Sequence, residues 1–242
     1  MRTVRHSIAL TNSYLLMGDL SFRSTPVDTD QRPTLAFERK LWSEGYRVVV
    51  GIDEAGRGAW AGPVVAAAVV FEPAIRSCAA CLAPIRDSKL LSPRQRDRCY
   101  DLVLDTAAFW GVGSVPSQEI DQVGILNATR TAMELAVAGL PCQADFLLID
   151  AVRLAALAIP QFPIIKGDRL CVSIAAASII AKVTRDRAMR ELDRCVPGYG
   201  LAAHKGYGTA FHQVALAALG PSAIHRHSYA PVAALDRLVS DG

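Results

Sequence analysis

The sequence predicts an α/β fold in which a central sheet is covered by helices on both faces. Three observations predict it. Short apolar, β-branched runs alternate with longer helical stretches along most of the 242 residues, as strands do when helices cover them. Three of these runs end in, or closely precede, a carboxylate: Asp53, Asp150 and Asp168. Hydrophobic residues make up 51% of the chain, ample for a sizeable core.

Taken in order, residues 1–33 are polar and aperiodic, with Thr25-Pro26 and Arg32-Pro33 as breakers, and read as a flexible extension ahead of a domain over 34–242. Leu35, Phe37, Leu41 and Trp42 then space a short helix, ended by Gly45. Arg47 to Ile52 reads as a buried strand and Val64 to Phe71 as a second, joined by a glycine-rich turn. Glu72 to Leu91 reads as an irregular connection holding Pro73 and Pro84. Ser92-Pro93 supplies an N-cap and a proline at the first helical position, opening a helix to about Ala108.

Trp110 to Val115 is a third strand, and Ser117 with Ile120 starts a helical turn. After Gly124 a helix runs from Leu126 to Ala138, stopped by Gly139 and Pro141. Phe146 to Ile149 and Phe162 to Ile165 are brief strands. Ser173 to about Arg194 is the longest helix, turning Ile174, Ala177, Ile180, Ala181 and Val183 toward a core. Past Pro197-Gly198 comes the loop G-Y-G-L-A-A-H-K-G-Y-G-T; Thr209 caps a helix to Leu219, and a last helix starts at Pro231.

Composition excludes several classes. The longest apolar runs fall short of the ~18 residues of a spanning helix, so no membrane segment is expected. The N-terminus lacks the apolar core and cleavage site of a secretory signal, which makes the cytoplasm the default location. Six cysteines are too few for a disulfide scaffold, and reduced thiols are expected. Cys78 and Cys81 have C-x-x-C spacing, but no second pair exists to complete a zinc site. A formal charge of +3 does not establish nucleic-acid binding, although basic residues outnumber acidic ones between Ile85 and Tyr100 and after Pro160.

The chemistry lies where strands end. In sheets of this class ligands gather outside the carboxyl ends of parallel strands, so neighbouring strands would bring Asp53, Asp150 and Asp168 together, with Glu54 beside Asp53. Adjacent carboxylates repel unless something positive offsets them. Oxygen ligands without a Cys/His cluster suit Mg²⁺ or Mn²⁺, and two such ions could hydrolyse a phosphodiester. Any single aspartate after a strand is more simply a turn or cap residue, and the combination with the Asp53-Glu54 pair favours metal.

Gly56-Arg57-Gly58-Ala59-Trp60-Ala61 also fits the dinucleotide pattern G-x-G-x-x-A, with Glu72 as its acid. That fold needs a helix and then a strand between glycines and acid, and Pro63 to Phe71 leaves room for one element. Asp53 and Glu54 would also repel the pyrophosphate. Gly56 and Gly58 instead let the backbone approach a small group closely, such as a ribose 2′-hydroxyl. Two roles fit Arg57: holding phosphate, or buttressing the carboxylates.

Six motifs in the same order resemble bacterial ribonuclease HII. They are G-I-D-E-A-G-R-G-x-x-A-G-P-V-V-A-A-A-V at 51–69, D-S-K-x-L-S at 87–92, L-L-I-D at 147–150, K-G-D at 166–168, S-I-A-A-A-S-I-I-A-K-V-x-R-D at 173–186 and H-K-G-Y-G-T at 204–209. The resemblance spans about 34–232. It implies an RNase H-like fold, a mixed central sheet with helices on both faces and a C-terminal helical extension. It implies Mg²⁺- or Mn²⁺-dependent hydrolysis of RNA in RNA/DNA hybrids. It further implies incision 5′ of single ribonucleotides embedded in duplex DNA, leaving 3′-hydroxyl and 5′-phosphate ends. The family's catalytic and metal-holding carboxylates match Asp53, Glu54, Asp150 and Asp168. Its 2′-hydroxyl reader matches Gly56, Arg57 and Gly58, and the tyrosine that packs on the adjacent deoxyribose matches Tyr207. Lys89, Lys166 and Lys205 are further candidates for phosphate contacts, and a monomer is expected.

This chain departs from the family pattern at Ala59-Trp60, commonly proline-leucine, and at Ala151, often glycine. Both bear on the shape of the substrate groove. Two competing classes remain: another RNase H-fold DNA nuclease, which would lack a 2′-hydroxyl reader, and a non-catalytic nucleic-acid-binding module, which would not need four converging acids.

Overall fold

A computed structural model describes residues 32–240; the extension assigned to 1–33 therefore lies almost wholly outside the described residues. Five strands form one sheet: β1 (Val49–Ala55), β2 (Val64–Val70), β3 (Phe109–Val115), β4 (Phe146–Asp150) and β5 (Gln161–Ile164). Their order is β3-β2-β1-β4-β5. β1, β2 and β3 pair antiparallel, while β4 runs parallel to β1 and β5 parallel to β4, so the sheet is mixed. The helices are α1 (Ala36–Ser43), α2 (Pro93–Thr106), α3 (Ser117–Val123), α4 (Ile125–Ala138), α5 (Val172–Cys195), α6 (Leu201–His204), α7 (Ala210–Leu219) and α8 (Ala230–Ser240).

The local signals act as expected. Ser92 accepts from the Gln95 amide while the Gln95 side chain accepts from the Ser92 amide, a complete capping box at the start of α2. Thr209 caps α7 through the His212 amide. Elsewhere the chain is more regular than its sequence suggests. The 72–91 connection contains 3-10 turns at Pro73–Leu82 and Ser88–Leu90, and the loop after Gly200 contains the single turn of α6. Cys81 is disulfide-bonded, against the expectation of reduced thiols, whereas Cys99, Cys142, Cys171 and Cys195 are free. A low cysteine density argues against a disulfide framework but not against one bond.

Alternation along the strands builds two cores. Val49, Ala67, Val69 and Leu148 face α2 and α5, whereas Val50, Ile52, Ala66, Ala68 and Ile149 face α4. A third cluster, Ala61, Met189, Tyr199, Leu201, Leu216 and Val232, joins the C-terminal helices to the loop after β1. No helix among the described residues is long and apolar enough to cross a membrane.

The two central layers approach very closely. A Cβ on Gly51 of β1 would lie 2.2 Å from the Ser173 carbonyl carbon of α5, so helix and strand meet backbone to backbone. Backbone cannot swing aside as a flexible side chain can. We expect Gly51→Ala to lower stability by about 3 kcal/mol, read from the denaturant midpoint; an unchanged midpoint would mean that α5 can slide.

α5 is set from its start. Buried Glu38 of α1 accepts from the Ser173 amide at 2.8 Å, satisfying a first-turn N–H that the helix itself cannot. Burial raises the pKa of this carboxyl, opposed by that hydrogen bond.

Candidate active site

Strand register brings the first two acids together. The pairing of β1 with β4 ends at Ile52 opposite Ile149, and the next residue on each strand is an aspartate. Residues at one level of a parallel pair share a face, so Asp53 and Asp150 stand side by side on the face covered by α5. The sequence places the Asp53-Glu54 pair on a turn, whereas β1 continues through both to Ala55 because β2 still pairs with it. Alternation directs Glu54 to the opposite face. With β4 ended at Asp150, no strand stands between, and one oxygen each of Asp53, Glu54 and Asp150 lies within 4.8 Å of the others.

Short hydrogen bonds orient the trio. Asp53 Oδ1 accepts from the Glu54 amide at 2.7 Å and Asp150 Oδ1 from the Gly167 amide at 2.7 Å. Glu54 Oε1 accepts from Arg57 Nη1 at 3.1 Å. Glu54 Oε2 is buried without a hydrogen-bond partner. Asp168 lies outside the tight trio, in the 3-10 turn Gly167–Arg169, and accepts from Lys89 Nζ at 3.5 Å. It remains close enough to Asp53 and Asp150 to repel both electrostatically.

The electrostatics follow from crowding. Burial, then Glu54, Asp150 and Asp168 in turn, hold the Asp53 carboxyl well above the ordinary carboxylate range. Burial likewise raises Asp150, opposed by the Gly167 amide, and raises Asp168, which Asp87 pushes further and Lys89 opposes. Hard oxygen donors, mutual repulsion and an unpaired buried oxygen fit a divalent cation with oxygen preference.

Lys89 leans on Asp168 from a turn that Asp87 organises, accepting from the Lys89 amide at 2.9 Å and from Arg169 Nε at 3.2 Å. Lys166 is exposed, with a left-handed φ of 57°. Lys205 Nζ donates to the Ala202 carbonyl at the end of its own short helix. Tyr207 is 36% exposed, with the Arg185 guanidinium carbon 5.5 Å and Lys182 Nζ 5.7 Å from its ring centre. Beside it opens a cleft of about 320 Å³ lined in part by Arg96, Lys182, Arg190 and Lys205.

Two buried arginines hold the glycine turn, Arg185 tying it to the Tyr207 loop and Arg226 to the C-terminal segment. Arg185 of α5 donates to the carbonyls of Pro63 at 2.8 Å, Lys205 at 3.0 Å and Ala61 at 3.1 Å. Arg226 donates to Gly62 and, at 2.9 Å, to the Arg57 carbonyl, which also accepts from Tyr229 Oη. Gly56 has a φ of 96° and lies against Arg185, whose Nε would be 1.9 Å from any Cβ there. The neighbourhood of a Cβ at Gly58 is open within 4 Å. The Trp60 amide donates to the Gly206 carbonyl at 2.7 Å, and its indole occupies the space that a side chain at Gly208 would need. The sequence reading missed Arg185 and Arg226; the first stands in the motif at 173–186, and no motif marks the second.

The departure at Ala151 also has a structural consequence. It adopts φ 55°, the left-handed conformation in which a Cβ is disfavoured.

A mixed sheet in this order, with carboxylates gathered where its central parallel strands end, defines an RNase H-like enzyme. The structure is similar to the crystal structure of ribonuclease H2 from Pyrococcus horikoshii OT3, with TM-score 0.66, 24% identity, and coverage of 81% of this chain and 100% of that one. It is also similar to Bst-RNase HIII in complex with Mn²⁺, with TM-score 0.61, 21% identity, and coverage of 82% and 72%. Residues 50–232 match the family model for ribonuclease HII. A ribonuclease HII from Chloroflexus aggregans is 54% identical over 200 residues, covering 83% of this chain and 94% of that protein. The chain belongs to the ribonuclease HII family and is a metal-dependent endoribonuclease.

Proposed function

We propose that the enzyme hydrolyses RNA in RNA/DNA hybrids and incises 5′ of single ribonucleotides in duplex DNA. The observation that carries this reading is the convergence of Asp53, Glu54 and Asp150 beside a glycine turn bound to the Tyr207 loop. Asp53, Glu54, Asp150 and Asp168 would hold two Mg²⁺ or Mn²⁺ ions. Bound there, the ions supply Lewis acidity that activates water and stabilises the leaving oxygen.

The remaining work belongs to the chain. Water adds to phosphorus and the bond to the upstream O3′ breaks, leaving 3′-hydroxyl and 5′-phosphate ends. Gly56, Arg57 and Gly58 present backbone to the ribose 2′-hydroxyl, a group DNA lacks. Arg226 and Tyr229 hold the Arg57 carbonyl from behind, which fixes the approach of that backbone. Tyr207 would offer its ring to the following deoxyribose, with Lys89 and Lys166 as candidates for phosphate contacts. Lys205, engaged with its own helix, is the weakest member of this set.

The decisive assay uses Mg²⁺ and a DNA duplex carrying one ribonucleotide. We expect one nick, 5′ of the ribonucleotide, and an intact all-DNA duplex; equal cutting of both would replace this reading with that of an unselective DNA nuclease. A purely binding protein would cut neither. Tyr207→Ala should lower kcat/KM on the single-ribonucleotide duplex by about tenfold or more, the scale of a lost aromatic stack, and spare a long hybrid. Equal losses on the two substrates would remove Tyr207 from junction reading.

A further inference from the structure

Beneath Tyr207 lie three histidines that the chemistry above does not use. His212 and His225 are fully buried, and their Nε2 atoms lie 3.2 Å apart. Two imidazoles can share such a contact only if one donates and the other accepts. Their outer partners determine which does which. His225 Nδ1 accepts from the Ser222 amide at 3.0 Å, leaving its proton on Nε2. His212 Nδ1 faces the Tyr207 carbonyl at 3.1 Å, which can only accept, so His212 carries its proton on Nδ1 and accepts at Nε2.

The result is one directed chain, from Ser222 through His225 and His212 to the Tyr207 carbonyl. His204 flanks it, its ring centre 4.4 Å from that of His212 in a stacked arrangement, donating from Nε2 to the Tyr199 carbonyl and accepting at Nδ1 from the Gly206 amide. The Trp60 indole lies 5.8 Å from His212, centre to centre. The relay therefore reaches both loops that flank the substrate site, and an additional proton on His212 or His225 would set two donors against each other.

We propose that His212 and His225 are positioning residues for ribonucleotide selectivity: their neutral relay sets the backbone of Tyr207, and so the angle at which its ring meets the deoxyribose. This rests on the reading of Tyr207 given above. Burial lowers the His212 pKa, consistent with a neutral ring, with the Tyr207 carbonyl opposing and His204 adding to the shift.

His212→Phe keeps a ring to stack on His204 and removes both hydrogen bonds, whereas His212→Asn retains a donor near Nδ1. The measured quantity is the ratio of kcat/KM on a single-ribonucleotide duplex to that on a long RNA/DNA hybrid. We expect His212→Phe to lower the ratio about three- to tenfold, the scale of one lost hydrogen bond, and His212→Asn to restore most of it. Tyr207→Ala is measured alongside. If Tyr207→Ala lowers the ratio and a folded His212→Phe does not, the relay has no positioning role; if Tyr207→Ala leaves the ratio unchanged, the reading of Tyr207 itself fails. Nitrogen-15 NMR of the wild-type enzyme at pH 7.5 supplies a test that needs no variant to fold. Neutral rings protonated at Nδ1 in His212 and Nε2 in His225 support the relay, and a charged His212 or the opposite tautomers overturn it.

Discussion

Asp53→Asn is expected to abolish cleavage and at the same time to stabilise the metal-free protein. The loss should reach about 10³-fold or more, because metal-ion catalysis supplies several kcal/mol of transition-state stabilisation and each 1.36 kcal/mol is tenfold. The gain follows from the sign of the Asp53 shift. Its carboxyl is held well above the ordinary range by burial and then by Glu54, Asp150 and Asp168, so the folded state retains the proton to higher pH than the unfolded state does. Metal-free stability from this residue is thus full below the ordinary carboxylate pKa and lost as pH rises through the raised value. Asparagine has no charge to lose. Calorimetry at pH 7.5 with chelator should show a Tm above wild type, by about 2–4 °C per kcal/mol relieved, and Mg²⁺ should raise Tm in wild type far more than in the variant. A wild-type Tm indifferent to Mg²⁺ would remove Asp53 from the metal set.

Arg185→Met should be among the most destabilising changes in the molecule. The stem still fills the space beside Gly56, but the carbonyls of Ala61, Pro63 and Lys205 lose their donor together. A buried carbonyl left unsatisfied costs about 1–3 kcal/mol, so a total of about 3–5 kcal/mol is expected after partial relaxation. Chemical denaturation measures this loss. In variant that remains folded, selectivity for a ribonucleotide over all-DNA duplex should fall while the Mg²⁺-induced shift in Tm persists, since none of the acids is touched. Loss of that shift would mean that the loops and the carboxylates form one inseparable unit.

Most of the architecture was legible because its punctuation is local. Ser92-Pro93, Gly124, Gly139 and Thr209 mark helix ends through their own dihedrals and hydrogen bonds, and each falls at an observed end. The meeting of Asp53 with Asp150 was legible too, since each follows an apolar run and parallel neighbours align such ends. What stayed hidden depends on distant pairing. β1 outruns its apolar run because β2 continues beside it, which moves Asp53 and Glu54 from a turn into a strand. Arg185, Arg226, His212 and His225 look like solvated polar residues in sequence, and only contacts with remote carbonyls and one another make them interior.

The seam between the glycine turn and the C-terminal helices has a consequence for how such an enzyme can change. The acids are fixed by sheet register, whereas the turn beside them takes its shape from Arg185 on the long helix and Arg226 near the chain's end. On the function proposed above, the shape of the sugar-reading turn is thus set largely by residues remote in sequence from the acids, with Arg57 as the direct link between the two. On that proposal, substitutions around Arg226, Tyr229 and His225 would retune which sugar is accepted while leaving the register of the acids untouched, giving the C-terminal segment the character of an adjustable gauge mounted on a fixed blade.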